Sequence, residues 1–148
     1  MSMKDHIRRE IERAARELDL SLRPLSDERS LEIRSRLARA FGKEPDRAIG
    51  FSYQVLDDYA AFYSTESWKL APQSLEASPV LFFVNPDEAL TVWELDSSRD
   101  VLALLAESFG FPFYIASPDL EAMVCVDDHD CLYGVGGARD AVRDLKKA

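Results

Sequence analysis

The chain has 148 residues, 47% of them hydrophobic, and a formal net charge of −9. That is enough for one domain with its own core, and two cysteines exclude a disulfide framework. No apolar run approaches the ~20 residues of a membrane-spanning helix, and the opening MSMKDHIRREIERAARELDL mixes acids with bases and lacks the apolar centre of a signal peptide, so the expected location is cytoplasmic.

Residues 3–19 predict an amphipathic helix, because Ile7, Ile11, Ala14 and Leu18 recur at four- and three-residue spacing among charged residues. The run from Leu20 to Pro24 breaks it, since proline has no N–H to continue the ladder. Ser26 or Asp27 then caps a second helix, with Asp27 and Glu28 in a first turn where the dipole favours acids. Its apolar stripe is Ile33, Leu37, Ala40 and Phe41, and Gly42 is its stop. Residues 1–42 are therefore expected as a helical pair, packed on each other or on a sheet. Arg8, Arg9, Arg34, Arg36 and Arg39 are interleaved with acids or spread round the helices, which argues against a DNA-recognition helix.

Ala48 to Val55 alternates, with Ile49, Phe51, Tyr53 and Val55 on one side, and reads as a half-exposed edge strand ended by Asp57-Asp58. Tyr59 to Leu75 carries little periodicity. A short helix is expected over Ser67–Leu70, capped by Thr65 or Ser64 and stopped before Pro72, with Phe62, Tyr63 and Trp68 filling core beneath a loop. Val80–Val84 is continuously apolar, the pattern of a central strand covered on both faces. Asn85 to Glu88 is a turn, and Leu90–Leu95 returns as the hairpin partner. Asp96 or Ser97 caps an inserted helix over 97–109 with a buried stripe of Val101, Leu102, Leu104, Leu105 and Phe109. Phe113–Ile115 is a strand; Glu121–Val126 and Cys131–Val135 form a second hairpin round Asp127, Asp128, His129 and Asp130. Gly136-Gly137 leads into a closing helix over 138–147 with Ala138, Val142 and Leu145 on its inner face. The expected object is one α+β domain spanning 1–148: two N-terminal helices on a mainly antiparallel sheet of five to six strands over 48–137, with one inserted helix and a short C-terminal helix.

The 127–130 tip with Cys131 is the densest group of metal-capable side chains, but the ligands of a metal site normally converge from two elements, and Asp and His are ordinary turn residues. No metal or cofactor is expected there. Cys125 and Cys131 lie on the two arms of one hairpin and read as buried thiols, with no base nearby to activate them. The run Gly134 to Arg139 lacks the third small residue of a dinucleotide fingerprint and any Gly-Lys-Ser/Thr, so its glycines are expected to serve a tight turn. A nucleophile would have to use His6 or His129 as its base, and no nucleophile elbow is present. The carboxylate pairs Asp57/Asp58, Asp87/Glu88 and Asp127/Asp128 all sit at turns, where acids are solvated.

The charge is unevenly placed. Residues 1–50 hold 12 bases against 10 acids, residues 51–130 hold two bases (Lys69 and Arg99) against 15 acids, and residues 131–148 hold four bases against two acids. A middle region of net −13 repels phosphates and excludes nucleic acid as its ligand. It suits a basic protein partner drawn in electrostatically, for which Asp57, Asp58, Asp127, Asp128, His129 and Asp130 are the candidate contact residues. The pattern Phe113-Tyr114-Ile115, Leu120 to Val126, the Asp127–Asp130 tip and Leu132 to Gly136 resembles that of small bacterial immunity proteins of polymorphic toxin systems. What the resemblance implies is a non-enzymatic binder, monomeric or weakly dimeric, that blocks a toxin domain; it carries over no catalytic residue. The alternatives are a regulatory or structural adaptor self-associating through its N-terminal helices and, third, a metal-dependent enzyme.

Overall fold

A computed structural model of the chain describes residues 5–44 and 56–147, and the protein is α+β. Among these residues five α-helices run over His6–Glu17 (α1), Asp27–Phe41 (α2), Ser67–Ser74 (α3), Ser98–Glu107 (α4) and Arg139–Asp144 (α5), the last followed by a 3₁₀ turn at Leu145–Lys147. Seven strands, Arg23–Pro24 (β1), Ala60–Tyr63 (β2), Val80–Phe83 (β3), Trp93–Leu95 (β4), Phe113–Ala116 (β5), Ala122–Val126 (β6) and Cys131–Gly136 (β7), form one sheet in the order β1-β4-β3-β5-β6-β7-β2. Every strand pairing is antiparallel. The expected strand at Ala48–Val55 lies outside the described residues.

Both faces of the sheet are covered, which is why its central strands read as unbroken apolar runs. On one face Val80, Phe82, Phe113, Ile115, Val124 and Leu132 pack with Ile11 of α1, Ala71 of α3, Val101 and Leu104 of α4 and Val142 of α5. On the other, Leu81, Phe83, Tyr114, Met123, Cys125 and Tyr133 meet Ile33, Leu37 and Ala38 of α2. The two N-terminal helices thus do pack on the sheet, α1 on one face and α2 on the other. Each buries its apolar stripe against strands, and full burial of one such side chain stabilises by roughly 1.5–3 kcal/mol.

Several local expectations change. The segment Arg23-Pro24, read as a helix breaker, also pairs with β4 as an edge strand, the one place in a sheet that tolerates proline. Across it Arg23 bonds Glu94 at 3.0 Å and Asp96 at 2.8 Å. Residues 60–63 form β2 rather than a loop, in register with β7 (Ala60 opposite Gly134, Tyr63 opposite Cys131). Helix α3 runs through Pro72 to Ser74, because the gain from burying Ala71, Pro72 and Leu75 outweighs one missing N–H. In α2 the stripe holds Ala38, not Ala40, and contains Ser30 and Arg34, both fully buried. In α4 the buried residues are Ser98, Val101 and Leu104, while Phe109 beyond its end is 41% exposed. The helix caps resolve to Ser26, which accepts from the Arg29 N–H, and Ser97, which accepts from the Asp100 N–H.

The strand expected over Leu90–Leu95 shortens to Trp93–Leu95 because residues 89–92 bond elsewhere. The Val92 N–H donates to Ser30 Oγ at 2.9 Å, and the Leu25 N–H donates to the Val92 carbonyl at 2.9 Å. Arg34 donates to the carbonyls of Ala89 (3.0 Å) and Leu90 (3.2 Å), its guanidinium 4.8 Å from the Phe83 ring centre. Side chains of α2 therefore take over the backbone bonding that a longer ladder would have supplied.

Candidate functional site

The hairpin tip between β6 and β7 is built by Asp127. Its Oδ1 accepts from the backbone N–H groups of His129 (2.9 Å) and Cys131 (3.0 Å), and its Oδ2 accepts from the Tyr133 hydroxyl (3.2 Å). This carboxylate closes the turn and is spent on it. Burial, chiefly, holds the Tyr133 hydroxyl above the ordinary tyrosine range, so it remains a donor to Asp127. Asp130 takes the left-handed conformation (φ 62°) that short polar residues tolerate. Its carbonyl accepts from Ser67 Oγ at 2.8 Å and the Ser64 N–H at 3.3 Å, tying the tip to the start of α3. The remaining tip side chains point outward: Asp128 is 74% exposed and His129 83% exposed, 3.6 Å apart.

That tie forms one wall of a cleft of about 520 Å³ at the end of the sheet where β5 begins and β6 turns into β7. Its apolar lining comes chiefly from Trp68 of α3, from Phe109 and Phe111 on the segment joining α4 to β5, and from Phe113 at the start of β5; Asp127, Asp128 and Asp130 form its polar side. The aromatic wall is held from behind. Phe111 packs edge-on to Phe82 and Phe109, and Phe109 stacks on His6 with ring centres 4.9 Å apart. Glu10 of α1 accepts the Phe109 N–H at 3.0 Å and pairs with Arg13, whose hydrogen bonds hold the Glu10 carboxyl below its ordinary value. Arg13 in turn bonds Glu107 and its carbonyl. No lysine or arginine lines the cleft among the described residues.

The candidate contact residues do not gather into one patch. In the β2–β7 register the Asp57-Asp58 end lies beside Gly136, while the 127–130 tip lies beside Tyr63, which puts the two groups at opposite ends of the ribbon, roughly 20 Å apart. Asp58 also pairs with Arg139 of α5 at 2.6 Å. Other acids of the middle region have partners too: Glu94 and Asp96 with Arg23, Glu107 with Arg13, Glu66 with Lys69. Asp128 and Asp130 pair with no arginine or lysine among the described residues.

The remaining motifs resolve structurally. Cys125 lies opposite Tyr133, which sets it diagonally across from Cys131, and both thiols are free. Burial pushes the Cys125 thiol well above its ordinary range, so it is not a thiolate. Gly134 lets α5 approach the sheet, because a Cβ there would sit 2.6 Å from Val142 and 2.8 Å from the Ala138 carbonyl. Gly136 needs φ +59° and has the Glu121 carbonyl and the Phe41 ring where a Cβ would go. Among the described residues no three His, Cys, Asp or Glu side chains are grouped to hold a metal ion, and no helix is long and apolar enough to cross a membrane.

Reading by sequence missed Trp68, Phe109 and Phe111 as site residues and assigned Trp68 and Phe109 to the core. The available signal was the density of large apolar residues in Phe109-Gly-Phe-Pro-Phe113, more than a short connection needs for packing. No family model, curated protein or solved structure matches the chain.

Proposed function

We propose that the protein is a non-enzymatic binder of a basic protein partner, engaging it at the hairpin-tip end of the sheet. In the form implied by the resemblance of residues 113–136 to immunity proteins, the partner is a toxin domain, neutralised when its active groove is covered. The observation that carries this reading is the placement of Asp128 and Asp130, with no lysine or arginine partner among the described residues, on the rim of an aromatic-lined cleft. Unpaired carboxylates steer a cationic surface in, and partly exposed aromatic rings supply the apolar contact that holds it. The contact region is narrower than the charge distribution suggests, since Asp58 and the acids facing Arg13 and Arg23 already have partners.

Self-association through the N-terminal helices is the weaker reading. The apolar stripes of α1 and α2 are spent on opposite faces of the sheet, which leaves Leu18 and Leu31 as their exposed large apolar side chains among the described residues. The discriminating experiment places a photo-crosslinking side chain at His129 and exposes the protein to extract of its native host. The expected product is a heterodimer with a basic protein whose own activity falls on stoichiometric addition of this chain. A crosslinked homodimer, or an acidic partner, refutes the reading.

A further inference from the structure

Resting on that reading, we infer that the cleft between Trp68, Phe109 and Phe111 receives an arginine side chain of the partner, flanked by an apolar residue, with Asp128 and Asp130 closing on the guanidinium. The volume, about 520 Å³, is that of a small-ligand site and admits a few side chains, not a folded surface. The occupant is therefore an exposed loop or chain end. The lining sets its chemistry: aromatic faces on one wall, carboxylates on the other, and no base among the described lining residues. A planar guanidinium satisfies both walls at once, since it stacks on aromatic rings and can bond a carboxylate through two parallel N–H groups. A lysine ammonium, compact and strongly hydrated, uses the aromatic wall less well.

One further feature agrees in sign. The C-terminal end of α4, the negative end of its dipole, opens onto the cleft through Ala106 and Ser108, and its last turn carries no basic residue. The Trp68 ring already carries the Lys69 ammonium at 5.2 Å, which also pairs with Glu66, so an entering guanidinium stacks on the Phe109 and Phe111 rings or displaces that ammonium. Asp127 is no part of the recognition, because its oxygens build the turn.

The test uses the full chain, labelled with ¹⁵N, and the blocked tripeptide Ac-Leu-Arg-Leu-NH₂, with Ac-Leu-Lys-Leu-NH₂ and Ac-Leu-Gln-Leu-NH₂ as comparisons. The arginine peptide should shift the Trp68 indole N–H and the amides of Gly110, Asp128 and Asp130, binding more tightly than the lysine peptide and far more tightly than the glutamine one. The D128N/D130N protein keeps a residue type that accepts a left-handed conformation, so the turn survives. It should bind the arginine peptide about five- to tenfold more weakly. Phe109→Ala should weaken binding by at least about tenfold, with the tip amides unmoved in the free protein. Equal response to all three peptides, shifts scattered over other surface acids, or an unchanged affinity in D128N/D130N overturns the inference. The crosslinked partner separates this from the broader reading. If D128N/D130N and Phe109→Ala still capture the same basic protein at wild-type efficiency, the arginine site is wrong and the partner reading stands. If the arginine peptide binds as described but no basic protein is captured, the cleft assignment stands and the partner reading fails.

Discussion

The two faces of the sheet are stabilised by different means. The face under α1, α3, α4 and α5 is closed by four helices whose buried polar side chains, Ser67 and Ser98, stand at the starts of α3 and α4 and bond the carbonyls of Asp130 and Leu75; its centre holds Phe82, Phe113 and Ile115, with no buried charge among the described residues. Among the described residues the face under α2 has one helix for the same task, and that helix inserts Ser30 and Arg34 among its apolar residues. Opposite Arg34 lie Phe83 and Tyr114, their rings stacked 5.0 Å apart, with the Tyr114 hydroxyl bonded to Asn85. Non-directional burial is lost in proportion to the volume removed, because the surrounding core relaxes only partially, whereas a directional bond is lost with its one donor or acceptor. The first face should therefore respond to lost volume, and the second to lost polar partners.

The largest effect is expected where volume alone matters. Phe82→Ala, beneath Trp93, Phe111 and Phe113, should destabilise by ~3–5 kcal/mol in urea unfolding, with no change in slope. A cost below about 1 kcal/mol would mean that this face is loosely packed and would break the contrast. On the other face Arg34→Ala should cost on the order of 3 kcal/mol, since it strands the carbonyls of Ala89 and Leu90 and uncovers Phe83. Burial draws the Arg34 guanidinium down to about 10, which leaves it charged at neutral pH. Arg34→Lys should recover only part of the loss, because one ammonium cannot reproduce the spread of the guanidinium. Ser30→Ala deletes a single oxygen yet leaves the buried Val92 N–H without its acceptor, at a cost of ~1–3 kcal/mol. The double variant should cost less than the sum of the two singles, since both release the same backbone segment. Strict additivity would show that Ser30 and Arg34 hold 89–92 independently.

This division explains what was legible in the sequence. Where burial is apolar and unbroken, as at Val80–Val84, pattern is sufficient; the stripe of α1 was legible at Ile11 and Ala14, while Leu18 is exposed and Ala15 is buried instead. Arg34 defeats pattern: four residues after Ser30 and three before Leu37, it stands on the buried stripe, but its residue type reads as surface. The same holds for β2, whose partner β7 lies about 70 residues away, so its pairing leaves no local trace. The candidate site was half legible. The tip is a turn of strong composition and could be placed; the cleft could not, because α3, the segment after α4 and the β6–β7 hairpin are distant in sequence and meet only once the chain has folded. Proline at position 72 misled for a simple reason: the rule weighs a missing N–H, and the structure weighs it against the burial of Ala71 and Leu75.

The smallest effect sharpens the contrast from the rim of the helix-rich face. Glu10 joins α1 to the segment that forms the cleft wall, pairing with Arg13 at 2.8 Å and accepting the Phe109 N–H. The Arg13 hydrogen bonds lower its carboxyl from the ordinary 4.5, so the folded state binds that proton less readily than the unfolded chain. Its contribution is therefore fully present above about pH 4.5 and is lost as the pH falls through the lowered folded value. Across this range Arg34 does not titrate, so the α2 face adds no acid dependence through it. Glu10→Gln should thus lower the urea midpoint slightly at neutral pH and match wild type in strong acid. At neutral pH it should also speed amide exchange at Phe109, whose N–H keeps only an uncharged acceptor. If wild type and Glu10→Gln follow parallel curves down to strong acid, the bond between α1 and the cleft wall does not depend on the charge of Glu10. The helix-rich face would then be held at its rim, as at its centre, by packing alone.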